Sequence, residues 1–132
     1  AAWEAQNLYR IYTKVKPSLI RVDADEVTYP SHVILRYELE KKLVEGEMQF
    51  KDVPAEWKKQ MKALLGVNVP NDKDGCMQDV HWPGGSFGYF PTYTLGAMNA
   101  AQLFDAAKRQ DKSIVPGIEK GNFKPLVAWL RK

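Results

Sequence analysis

Apolar residues recur along this chain mostly at three- and four-residue intervals, the spacing that lines one side of a helix. Between Trp3 and Val15, the residues Leu8, Ile11, Tyr12 and Val15 form such a stripe. Pro17 closes it, because the residue before a proline avoids the helical region. The longest periodic run covers Val27 to Val44. There Val27, Ile34, Leu35, Leu39 and Leu43 share one side, leaving Arg36, Glu40 and Lys41 to face water. Asp25 is placed to cap this helix, Glu26 suits its positive end, Pro30 is tolerated near its start and Gly46 terminates it. Asp52-Val53-Pro54-Ala55-Glu56 opens a further helix that runs to Leu65 and stops at Gly66.

The pattern then breaks. Residues 67–75 carry Pro70, Asn71, Asp72 and Asp74, which is loop chemistry. Gln78 to Pro91 holds Pro83-Gly84-Gly85 and Gly88 among His81, Trp82, Phe87, Tyr89, Phe90 and Tyr93. Pro91 suits the first turn of a helix reaching Lys108, with Leu95, Met98, Leu103 and Ala106 along one side. Short helices over Val115 to Lys120 and Asn122 to Leu130 complete the chain, and short strands fit near Ile20–Val22 and Met77–Val80. The fold class is mainly α, with at most short β strands.

Composition narrows the function. The 132 residues suffice for one domain with a real core, and 45% apolar with 27% charged residues is an ordinary globular balance. The net charge of +3 is dispersed, with Lys and Arg set beside Asp and Glu, which argues against a nucleic-acid partner. No apolar run approaches the roughly 20 residues that cross a bilayer, which argues against a membrane partner. No signal peptide is visible, and the lone Cys76 forms no internal disulfide, so a cytoplasmic setting is expected.

Metal chemistry needs clustered His, Cys, Asp or Glu, and this chain has two histidines, His32 and His81, with no H-E-x-x-H between them. No bound zinc is expected for this chain alone. No G-x-S-x-G elbow is present, and Gly84-Gly85-Ser86-Phe87-Gly88 lacks the lysine of a phosphate loop. The strongest local feature is His81 in its glycine-rich loop, with Tyr89 and Tyr93 following at 8 and 12 positions. An imidazole and two phenols can converge on one cavity and donate to a developing oxyanion. The same residues also read as an aromatic core cluster around a structural histidine.

Gly75-Cys76-Met77-Gln78-Asp79-Val80-His81-Trp82 resembles the G-x-x-Q-D-x-H-W signature of the thermostable (Taq-type) zinc carboxypeptidases. Arg21-Val22-Asp23-Ala24-Asp25 is similar to that family's [I/R]-x-x-A-D signature, and residues 26–30, 35–38 and 88–96 also read like the family. The likeness runs from about Pro17 to Phe104. The family's H-P-F, D-x-R-x-T, H-E-x-x-H and H-E-[S/G]-Q signatures, which hold its metal ligands and general base, would precede residue 1. The resemblance therefore implies one partial domain, residues 1–132, forming the substrate-facing C-terminal part of a larger all-helical, zincin-like peptidase.

It further implies release of C-terminal residues from peptides by the whole enzyme, with zinc as its cofactor. The partners are then a peptide with a free C-terminus and the N-terminal metal-binding segment, with homo-oligomers expected where buried surface is uncovered. His81 and Tyr93, with Tyr89 as the alternative phenol, are implied as donors to the tetrahedral intermediate. Arg21 and Arg36, with Gln78, are the candidates for binding the substrate, because a guanidinium fork fits a carboxylate. Arg36 reads alternatively as a surface partner of Glu40. Gln78 and Asp79 are placed to orient His81 or a metal ligand, whereas Asp25 either orients or simply caps. His32 reads as structural and Cys76 as a small buried side chain. The other reading is a non-catalytic helical interaction module.

Overall fold

Prolines open several helices of this chain, and a glycine ends α3. A computed structural model describes residues 3–132. The helices are α1 (Ala5–Tyr12), α2 (Tyr29–Val44), α3 (Val53–Leu65), α4 (Pro91–Gln110), α5 (Ile114–Glu119) and α6 (Lys124–Leu130), with 3-10 turns at Arg21–Asp23 and Phe50–Asp52. Proline occupies the first turn of α2, α3 and α6, where its missing N–H leaves nothing unpaired. Gly66 ends α3 in the left-handed conformation, φ 71, which glycine adopts without a Cβ clash. The fold is mainly helical, and no strand occurs among the described residues. The strand expected at Ile20–Val22 gives way to the 3-10 turn, and residues 77–80 run from a turn into bends, because local backbone bonds and the Gln78 side chain hold these segments rather than a ladder.

The chain divides into two units, Ala1–Tyr93 and Thr94–Lys132. In the first, α2 packs on α3. Leu35 and Leu39 meet Trp57, Met61 and Leu65, with Leu19, Met48, Val67, Val69, Cys76 and Trp82 closing the edges. Fully burying Leu35, Leu39 and Met61 contributes about 1.5–3 kcal/mol each, so this pair of helices is the base for the loops above it. In the second unit, α5 packs against α6, with Ala107 and Ile114 buried. Trp129 Nε1 donates to Gln110 Oε1 at 2.9 Å.

α2 differs from its expected pattern. Its buried residues are His32, Val33, Leu35, Arg36, Leu39 and Glu40, while Val27 and Ile34 are exposed. Arg36 and Glu40 thus lie inside the protein instead of facing water. Charge in the interior requires partners, and those partners come from the loop between α3 and α4. The α1 stripe also differs: Ile11, Tyr12 and Val15 are exposed, as are Leu95, Met98 and Leu103 of α4.

Candidate active site

Each polar letter of the loop's Gly75–Trp82 sequence has a physical task. A Cβ on Gly75 would lie 2.9 Å from Val69 Cγ1 and 3.1 Å from the Asn71 carbonyl, so only glycine fits there without a shift. Gln78 staples the loop to the segment before α2. Its Oε1 accepts from the Arg21 backbone N–H at 2.8 Å, and its Nε2 donates to the carbonyls of Leu19, Asp74 and Gly75.

Asp79 then joins two buried cations. Its Oδ1 accepts from Arg21 Nε and Nη2 at 3.0 and 2.8 Å, and its Oδ2 from Arg36 Nε at 2.7 Å. Arg36 Nη1 donates to the His32 carbonyl, and Arg21 Nη1 to the Tyr29 hydroxyl, both at 2.8 Å. Aromatic faces fill the space around the guanidiniums: Arg36 lies over Trp57 and Phe90, Arg21 over Tyr29, Phe90 and Tyr93. Burial alone raises the Asp79 carboxyl, but Arg36 and Arg21 more than offset it and hold its pKa below the usual carboxylate value. Burial pulls Arg36 down to about 10 against the pull of Asp79.

Above this base sits His81. Its Nδ1 lies 3.9 Å from Asp79 Oδ1, and its Nε2 is 3.0 Å from the Tyr93 hydroxyl. Phe90, buried just before α4, packs on the imidazole with ring centres 4.4 Å apart. Tyr89 stacks on it at 5.7 Å and is half exposed. The direction of the His81–Tyr93 bond follows the imidazole tautomer. With the proton on Nε2, the ring donates to the phenol oxygen and leaves the Tyr93 O–H free to donate onward.

The sequence profile of the carboxypeptidase Taq (M32) metallopeptidase family matches residues 1–132. The chain belongs to this family. It is 50% identical over 117 residues to thermostable carboxypeptidase 1 of Thermus thermophilus, a match covering 89% of this chain and 23% of that protein. With carboxypeptidase 1 of Bacillus subtilis the identity is 45%, over 92% of this chain and 24% of the relative. Its structure resembles Trypanosoma cruzi metallocarboxypeptidase 1 with a TM-score of 0.89 and 48% identity, over 96% of this chain and 27% of that one. A Pyrococcus furiosus carboxypeptidase in an apo-Mg form gives a TM-score of 0.92 at 40% identity, over 98% of this chain and 26% of that one. The chain thus spans about a quarter of the length of these M32 relatives.

The fold brings His81, Tyr93, Tyr89, Asp79, Arg21, Arg36 and Gln78 together and leaves Asp25 apart. Asp25 accepts from the backbone of Lys16, Val27 and Thr28 and from the Thr28 hydroxyl, so it caps the turn entering α2. Those bonds, the Lys16 one foremost, lower its pKa to about 2. Arg21, Arg36 and Gln78, the residues expected to bind substrate, all have partners within this chain. Arg36 is fully buried and Arg21 is 6% exposed. Both guanidiniums pair with Asp79, and the Gln78 amide is taken up by backbone groups, so the three form the floor of the site. Neither Tyr29 nor Glu40 stands out in the sequence as a candidate site residue. The signal for Glu40 was its position one turn after Arg36, which reads as a surface pair when burial is unknown. Among the described residues, no group of three or more His, Cys, Asp and Glu side chains is placed to hold a metal. The family's metal does not fit these residues by themselves.

Proposed function

We propose that this chain is the part of an M32 carboxypeptidase that supplies hydrogen-bond donors to the tetrahedral intermediate formed as a peptide releases its C-terminal residue. In this reading the enzyme is zinc-dependent, its zinc is bound by a segment outside these residues, and the chain alone is inactive. His81 and Tyr93 are the donors, and Asp79 with its two arginines sets the imidazole in place. The carrying observation is the 3.0 Å contact between His81 Nε2 and the Tyr93 hydroxyl, held over a fixed ionic floor. Donors fixed before the reaction stabilise developing charge without reorganising.

The test joins this chain to a separately produced N-terminal segment of a family member. Restored release of a C-terminal residue from a blocked dipeptide supports the reading. A stable complex without cleavage favours the interaction module. In the active assembly, His81→Ala and Tyr93→Phe should each lower turnover by about 10²–10³; a loss of only a few-fold refutes the assignment. The same reading has the chain self-associating, since Val22, Met77 and Val80 are 71%, 74% and 82% exposed. A clean monomer in light scattering counts against that part.

A further inference from the structure

We propose that Glu40 is a positioning residue for the His81 loop, a role that rests on the reading of His81 and Tyr93 given above. Glu40 lies in α2 and is 3% exposed. Its two oxygens take two different donors. Oε1 accepts from the Trp82 indole Nε1 at 2.6 Å, and Oε2 accepts from the Gly88 backbone N–H at 3.2 Å. Trp82 directly follows His81, and Gly88 directly precedes Tyr89. A single carboxylate therefore ties both ends of the loop segment lying between the imidazole and the half-exposed phenol.

The segment itself is closed by backbone bonds. Ser86 N–H donates to the His81 carbonyl at 2.8 Å, Gly84 N–H to Val80 at 3.1 Å and Gly85 N–H to Trp82 at 2.9 Å. A loop already closed on itself moves as a unit, so fixing its two ends fixes its placement on α2. Gly88 has φ 73, a conformation that other residues adopt only with strain, and its N–H is the one that reaches Glu40. The Trp82 ring is held edge-on against Trp57 at 6.1 Å and stacked on Phe87 at 6.3 Å, so the indole N–H has a defined direction.

Filling this position by packing alone would favour a leucine or methionine, because taking a carboxylate out of water is costly. What a carboxylate adds is two separate acceptors for two diverging donors. Glutamine offers one acceptor oxygen and turns an N–H₂ toward the other donor. α2 thus grips the loop on both sides of His81: Arg36 through Asp79 before it, and Glu40 through Trp82 and Gly88 after it.

The test uses a full-length family carboxypeptidase carrying residues 1–132 in place of its matching segment. Glu40→Gln should lower kcat at least tenfold with KM within about threefold, and the loss should largely vanish in a His81→Ala background, because both changes act through one imidazole. Trp82→Phe, which keeps the ring and removes one donor, should give the same pattern if Glu40→Gln folds poorly. Hydrogen exchange of the Gly88 amide should quicken at least tenfold in Glu40→Gln while the Leu39 and Met61 amides stay within twofold. Turnover within twofold of the parent for the folded Glu40→Gln enzyme, with His81→Ala still costing a hundredfold, overturns the role of Glu40 and leaves that of His81 standing. Losses that add fully in the double variant overturn it as well. An inert His81→Ala change removes the reading of His81 itself, and the positioning role with it.

Discussion

The guanidinium of Arg36, fully buried in α2, pairs with the carboxylate of Asp79, which lies 43 residues further on and two residues before His81. This contact ties the helical base to the glycine-rich loop that carries His81. It also concentrates charge: two arginines share one carboxylate, so each member depends unequally on the others.

Asp79→Asn should be the most damaging single change in this cluster. It leaves Arg36 buried without a counter-charge and weakens the hold on Arg21. Removing one partner of a buried ion pair costs about 3–5 kcal/mol. Arg21→Gln leaves the Arg36–Asp79 pair intact and should cost less. Denaturant melts of the two variants check the order, and equal losses would show that the cluster is not organised around Asp79.

His32 makes stability fall in mild acid. It is fully buried, and neither ring nitrogen has a well-formed hydrogen bond, with the Ser18 backbone beside it. Burial first, then the Arg36 and Arg21 cations, pull its pKa down to about 4 against a favourable contribution from Asp79. An unfolded histidine takes up its proton near pH 6.5. Between those values the unfolded chain binds more protons, so stability declines as pH falls from about 6.5 to about 4, by about 3 kcal/mol in all. Below that range Asp79 takes over: its depressed pKa means that its contribution, complete above the ordinary carboxylate value, is lost as pH falls through the folded one. Unfolding midpoints measured across this range should slope for the parent and flatten above pH 4 for His32→Leu.

Gly75→Ala tests why the loop's sequence begins with glycine. The residue is buried, and the added methyl would press on Val69 Cγ1 and on backbone at Asn71 and Asp72. Overfilling a packed site costs about 1–3 kcal/mol. Gly75 also presents its carbonyl to Gln78 Nε2, so a shift here should loosen the staple to Leu19 and Arg21. Thermal melts should show the loss, whereas Gly96→Ala, which meets nothing within 4 Å, should leave the melting point unchanged or slightly raised.

Some of this was legible in the sequence and some was not, for physical reasons. α3 reads directly: Asp52, Pro54 and Gly66 are local signals, and the structure places the helix at Val53–Leu65. The His81–Tyr93 contact was visible as a pair of residue types at a spacing that one loop and one helical turn can close. Arg36 and Glu40 read as a surface pair, because periodicity marks charged residues as solvent-facing unless their partners are known. Those partners, Asp79, Trp82 and Gly88, lie more than forty positions away. α2 starts at Tyr29 rather than near Val27, because Asp25 caps the turn before the helix instead of the helix itself. Side chains at long range decide these features, and local pattern carries no trace of them.

The two phenols near His81 should separate in kinetics. Tyr93 puts its hydroxyl 3.0 Å from His81 Nε2, and its ring lies under the Arg21 guanidinium, with 5.1 Å from the guanidinium carbon to the ring centre. Tyr89 meets the same imidazole by stacking, and its hydroxyl has no comparable tie to the ring nitrogen. Removing only the oxygen therefore asks which phenol donates. In a full-length enzyme carrying this segment, Tyr93→Phe should lower kcat by about 10²–10³, the loss expected for one donor to an oxyanion. Tyr89→Phe keeps the stacked ring and should cost less than about tenfold, with more of the change in KM. The reverse order would move the donor to Tyr89 and reduce Tyr93 to a support for the imidazole.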